Sequence, residues 1–250
     1  MKMFTGIITY IVIIQLSFAQ QKNDFNGEAI NFSAKDGVRI TADLYLTPNS
    51  NAPFIILFHQ AGYSRGEYRE IAPKLNKLGF NCMAIDQRSG DKVNGVDNKT
   101  KAEAKKANKA TKYTDAIPDI EAAYLYVKNK IKPDKLIVWG SSYSAALMFY
   151  LANTNADGID GVLAFSPGEY FKINGKDIKS YASGVKCPVF ITSAKNEYDQ
   201  WKDIYNSVKS EKKYFLPELS GKHGSKALWE DNKDHQEYWK EVTNFLSTIK

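Results

Sequence analysis

The sequence predicts an α/β domain, a three-layer sandwich on a mostly parallel sheet. Three observations lead there. Interior apolar runs, among them Phe54–Phe58, Asn81–Ile85 and Gly161–Phe165, lack the polar alternation of half-exposed strands, as burial on both faces requires. Helical stripes alternate with these runs along the chain. Polar or small-residue loops follow the runs, and in such sheets the working residues gather past the carboxyl ends of the strands.

The elements follow in order. Glu28–Ser33 and residues 38–46 alternate as an antiparallel pair, with Asp36-Gly37 as the central turn residues. Phe54–Phe58 is the first buried strand and leads into His59-Gln60-Ala61-Gly62. A helix over 68–78 places Ile71, Leu75 and Leu78 on one face and stops at Gly79. Asn81–Ile85 is the next strand and ends in Asp86-Gln87-Arg88-Ser89-Gly90. Residues 93–112 hold almost no large apolar side chain and six lysines, so they read as a polar loop with a short surface helix. They serve either as solvated padding or as cover for a site. A helix over 113–130 carries Ile117, Ile120, Ala123, Tyr124 and Val127 as its stripe, with Pro118 tolerated in the first turn. Strands at 161–165, 188–192 and 213–216 follow, with a helix from about Gln200. A closing helix over 238–249 turns Trp239, Val242, Phe245 and Leu246 inward.

The 250 residues suffice for one full-sized domain rather than clearly two, and 43% hydrophobic with 25% charged residues is ordinary for a soluble globular chain. The amino end reads differently. A basic start, an apolar stretch from Phe4 to Phe18 and Ser17-Phe18-Ala19 form a signal peptide over 1–19, so the mature domain spans 20–250 and is exported, periplasmic or secreted. No later segment has the length of a membrane span, so no stable insertion is expected once the leader is cut. Cys82 and Cys187 fall on strands that are not neighbours and are expected as free, buried thiols. The formal charge of +6 comes mostly from lysine, and four scattered arginines with no recognisable module argue against nucleic-acid binding.

The chemistry centres on residues 135–146. An apolar strand ends in Gly140-Ser141-Ser142-Tyr143-Ser144, and a helical pattern starts at once. So tight a turn strains its central residue and needs small neighbours two places either side, here Gly140 and Ser144. It would present the Ser142 hydroxyl and set the Tyr143 amide at a helix start, where negative charge is stabilised. Serine needs a histidine base, and that base needs a carboxylate. Of the three histidines, His223 lies in a small-residue loop after the last strand, whereas His235 reads as surface and His59 as a residue orienting its loop. The acid should follow a strand between Ser142 and His223. Glu197 is preferred, with Asp199 as the alternative acid or a helix cap. Tyr143 is one oxyanion donor, and the loop after Phe58 supplies the other through Gln60, with Ala61 also placed for it. Tyr63, Tyr170 and Tyr198, with His59, are candidate pocket residues. No metal-ligand spacing, phosphate loop or dinucleotide fingerprint occurs, so the chemistry is expected to need no cofactor or metal.

These pieces resemble the α/β-hydrolase superfamily, and within it the dienelactone-hydrolase-like and small carboxylesterase group. The resemblance is carried by Gly140-Ser141-Ser142-Tyr143-Ser144, Phe58-His59-Gln60-Ala61-Gly62, Asp86-Gln87-Arg88-Ser89-Gly90 and Lys222-His223-Gly224, in an order that spans most of the mature chain. It implies an eight-stranded, mostly parallel sheet, with Ser142 as nucleophile, His223 as base and Glu197 where an aspartate is commoner. The elbow departs from the family's Gly-x-Ser-x-Gly at Ser144. Dienelactone hydrolases use a cysteine nucleophile, so serine at 142 points to a serine esterase acting on a small-molecule ester. Two other readings compete: a peptidase or amidase of the same fold, and a non-catalytic binding protein that retains the fold.

Overall fold

The computed structural model describes residues 27–249. The expected leader at 1–19 lies outside the described residues. Eight strands form one sheet: β1 (Glu28–Ser33), β2 (Arg39–Tyr45), β3 (Phe54–Phe58), β4 (Asn81–Ile85), β5 (Leu136–Ser141), β6 (Gly161–Phe165), β7 (Val189–Thr192) and β8 (Lys212–Phe215). Their spatial order is β1-β2-β4-β3-β5-β6-β7-β8. The first two strands run antiparallel at one edge, and β3 to β8 run parallel, as the sequence predicts.

The unbroken apolar runs have a direct cause. Phe54, Ile56 and Phe58 of β3 face one core, and Ile55 and Leu57 face the other. On β5, Leu136 and Val138 share the first core while Ile137 and Trp139 share the second. The first is covered by α3 (Ile117–Tyr126), α4 (Tyr143–Thr154), α5 (Ile178–Ala182) and α6 (Tyr198–Ser207). The second is covered by α1 (Ile71–Lys77) and α7 (His235–Ser247). Each large side chain so buried contributes roughly 1.5–3 kcal/mol. Trp139, stacked on Phe165 at 4.8 Å, is fully buried, and its truncation to alanine would cost about 3–5 kcal/mol.

Local chemistry sets most boundaries. The helix expected from 68 begins at Ile71, because Ser64 caps a separate 3-10 turn over Arg65–Tyr68 through a bond from the Gly66 amide. Residues 93–112 do contain a short helix, α2 (Lys99–Lys106), capped by Asn98 and seated on β2 through Thr100, whose hydroxyl accepts the Thr41 amide at 3.0 Å. Helix α3 continues through a widened turn over Val127–Ile131 and stops at Lys132, whose φ is 56°. The five-residue α5 is too short for a periodic stripe, and its Asp177 cap is its only strong sequence signal. Helix α7 starts three residues before the expected position. Cys82 and Cys187 are both free and buried. No described helix is long and apolar enough to cross a membrane. Strands β3 to β8 all end on one rim of the sheet, and the loops leaving that rim build the site.

Candidate active site

The turn from β5 into α4 is as tight as the residues imply. Ser142 has φ 59° and ψ −123°, a left-handed backbone that serine rarely adopts, and it is held by its amide donating to Phe165 O at 2.7 Å. A Cβ at Gly140 would lie 2.5 Å from the Ala145 nitrogen and the Ser144 carbonyl, so only glycine lets strand and helix close. Ser144 does more than stay small. Its hydroxyl donates to His59 O at 2.6 Å and accepts from Gln87 Nε2 at 2.7 Å, tying the turn to the loops after β3 and β4.

His223 and Glu197 converge on this turn. His223 Nε2 lies 2.8 Å from Ser142 Oγ, and Nδ1 lies 2.6 Å from Glu197 Oε1. Burial alone would raise the Glu197 carboxyl, but hydrogen bonds from His223 and Ser166, with the charge of the imidazole, outweigh it and hold the group below its usual value. Asp199, two residues on, is four-fifths exposed and pairs with Lys202 at 2.8 Å, so it is not the carboxylate at the imidazole. Ser166 was not anticipated. Its hydroxyl donates to Glu197 Oε2 at 2.6 Å and accepts from the Gly224 amide at 2.8 Å.

The oxyanion expectation needs one correction. The Gln60 amide donates to Glu67 Oε2 at 2.7 Å and is therefore occupied. Among the described residues, no acceptor bonds the amide of Ala61 or that of Tyr143. The Gln60 side chain instead packs beside the His223 loop, where a Cβ at Gly224 would lie 3.3 Å from its Oε1. Glu67, which no sequence signal marked, is wholly buried. It accepts from both Gln60 N and Ser141 Oγ at 2.7 Å, and burial pushes its carboxyl up to about 7. Ser141 Oγ in turn accepts from the Ser225 amide at 2.8 Å. Glu67, Ser141 and Ser225 thus link the loop after β3, the turn and the His223 loop beneath the site.

The aromatic candidates divide. Tyr170 sits beside Ser142; its hydroxyl donates to Ser166 O at 2.8 Å, and burial pushes the phenol up to about 12 against a smaller opposing effect of the Ser142 hydroxyl. Tyr113, absent from the sequence candidates, stacks on Tyr143 at 4.7 Å and lies 6.3 Å from Phe171. Residues 93–112 thus cover β2, and their continuation reaches the site rim. Tyr63 stacks on Trp229 at the far end of the Gln60 loop. Tyr198, the first residue of α6, packs with Trp201 and Tyr214 in an aromatic cluster. His59 has no exposed surface to offer a pocket. It is wholly buried, its Nδ1 bonded to Gln60 O at 2.8 Å and its Nε2 accepting the Gln87 amide at 2.9 Å, and burial lowers it to about 4. It is a neutral strut between two loops. Among the described residues, no group of three or more His, Cys, Asp or Glu side chains is placed to hold a metal ion.

Comparison with known proteins agrees with this architecture. Residues 40–214 match the model of the dienelactone hydrolase family. A dienelactone hydrolase from Anabaena variabilis superposes with a TM-score of 0.69 at 14% identity, covering 89% of this chain and 97% of its own. An esterase from Pyrococcus furiosus gives 0.67 at 18% identity, covering 89% and 92%. Est1E from Butyrivibrio proteoclasticus, solved with ferulic acid bound, gives 0.68 at 13% identity, covering 88% and 99%. At these identities the solved structures establish the fold alone. No curated protein sequence matches the chain.

Proposed function

The chain belongs to the dienelactone hydrolase family, and we propose that it is a serine hydrolase cleaving carboxylic esters through an acyl-enzyme. The observation that carries this reading is the continuous line from Glu197 Oε1 through His223 to Ser142 Oγ, with hydrogen bonds of 2.6 and 2.8 Å. His223 Nε2 takes the proton as Ser142 Oγ attacks the acyl carbon. The carbonyl oxygen, now negative, is received by the amides of Ala61 and Tyr143, each worth roughly 3 kcal/mol to the transition state. His223 returns the proton to the departing alkoxide. Water then adds to the acyl-enzyme with its proton going to the same nitrogen, and collapse of that intermediate releases the acid and restores the Ser142 hydroxyl. Glu197 holds Nδ1–H throughout and stabilises the imidazolium.

The test is hydrolysis of p-nitrophenyl esters of rising acyl length, with an aromatic acyl ester included because Tyr170 and Phe171 leave β6 on the nucleophile's side. Ser142→Ala should lose about 10⁴-fold or more in kcat. Equal rates for the two proteins would remove the mechanism. The same reading includes export of the protein, with Gln20 or Gln21 as the first residue found when the exported protein is sequenced from its amino end.

A further inference from the structure

We propose that Ser166 is a positioning residue for the acid–base pair, its hydroxyl holding Glu197 and the base loop in the register that lets His223 serve Ser142. The inference rests on the serine-hydrolase reading above. Ser166 directly follows β6, is buried, and has φ 53°, a left-handed backbone suited to glycine or asparagine. Pro167 follows it and narrows its backbone further. Every polar group of the residue is used. Its amide donates to Thr192 O at 2.7 Å and its carbonyl accepts from the Tyr170 hydroxyl at 2.8 Å. Its single hydroxyl proton goes to Glu197 Oε2, and an oxygen lone pair receives the Gly224 amide.

A strained serine in a buried turn needs a reason, and here the hydroxyl supplies one. Glycine would relax the backbone but could neither donate to the carboxylate nor accept from the loop. With a longer bond from the Ala194 amide at 3.3 Å, the bond to Oε2 fixes the rotation of the Glu197 carboxylate, so that Oε1 faces His223 Nδ1. The bond from Gly224 fixes the residue directly after the base, in a loop where Gly221 and Gly224 both have positive φ. One side chain just past β6 therefore sets the acid and the base against each other. The tie from Ser225 to Ser141 persists without it, so its loss should weaken catalysis without abolishing it.

The experiment compares Ser166→Ala, which keeps the strained backbone and loses the hydroxyl, with Ser166→Gly, which loses both. Wild type and Ser142→Ala are assayed beside them on one p-nitrophenyl ester. Rates are normalised to the concentration of folded protein, and melting temperatures are recorded. Both Ser166 variants should lose about 10- to 100-fold in kcat with KM little changed. The acidic limb of their kcat/KM profile should move to higher pH, because Glu197 without its second donor holds more charge against the imidazole. Ser166→Gly should melt above Ser166→Ala yet be no more active. Wild-type rates in both variants, or activity restored in Ser166→Gly along with stability, would overturn the inference. Equal rates for wild type and Ser142→Ala would instead sink the serine mechanism on which it stands.

Discussion

Ser144 shows what a nucleophile turn can ask of its last position beyond small volume. Glycine there would allow the same close approach, but it could not bridge His59 O and Gln87 Nε2. Ser144→Gly is therefore expected to fold and to lose about tenfold in kcat, the cost of about one buried hydrogen bond transmitted to the turn. Glu197 and Asp199 differ more sharply. Glu197→Gln should keep the shape of the site but lose about 10³- to 10⁴-fold in kcat, since the amide supports the wrong tautomer and cannot stabilise the imidazolium. Asp199→Asn should leave kcat unchanged, and steady-state assays of the two variants decide between them. Preferring Glu197 was possible from the chain alone, because it lies nearer the strand end. Seeing Glu67 and Ser166 was not. A buried carboxyl in a 3-10 turn and a serine before a proline carry no spacing signal, and their roles appear only when six strand ends meet on one rim.

The loops around that rim are braced by charge. Arg88 donates through Nε and Nη2 to Asp119 on α3, and through both terminal nitrogens to Asp36 in the β1–β2 turn, at 2.6–3.1 Å. Arg88 and Asp119 are almost wholly buried, so removing Arg88 leaves the Asp119 carboxylate without its counter-charge. Arg88→Leu is expected to lower stability by about 3–5 kcal/mol in urea unfolding, and Asp119→Leu in the same chain should recover part of that loss. Asp86, two residues before Arg88, braces the same rim through separate partners: it takes Arg65 at 2.7 Å and accepts the Lys99 amide. Long apolar runs and stripes made the strands and the larger helices legible. Less so were α5 and the 65–68 turn, which depend on single caps, and the Gln60 amide, whose acceptor arrives from the following turn.

Two buried titrating groups shape the pH response of the molecule as a whole. Burial holds Glu67 at about 7 against an ordinary 4.5, so between those values the folded protein keeps a proton that the unfolded chain has released, and stability falls as pH rises. Burial holds His59 at about 4 against 6.5, so the unfolded chain takes up a proton first as pH falls, and stability falls with it. Each effect is worth roughly 3 kcal/mol over its range, and between pH 4.5 and 6.5 the two oppose each other. Glu67→Gln removes one of them. Its unfolding free energy should climb more steeply than the wild type's between pH 4.5 and 6.5, as chemical denaturation at several pH values would reveal. Parallel curves for the two proteins would contradict this.

The proposed chemistry turns on an activated hydroxyl at Ser142. Intact-mass analysis after exposure to a fluorophosphonate should find one adduct per folded chain, mapped by peptide sequencing to Ser142 and missing from Ser142→Ala. A folded wild-type protein that stays unmodified, or that carries its adduct on another residue, would contradict it.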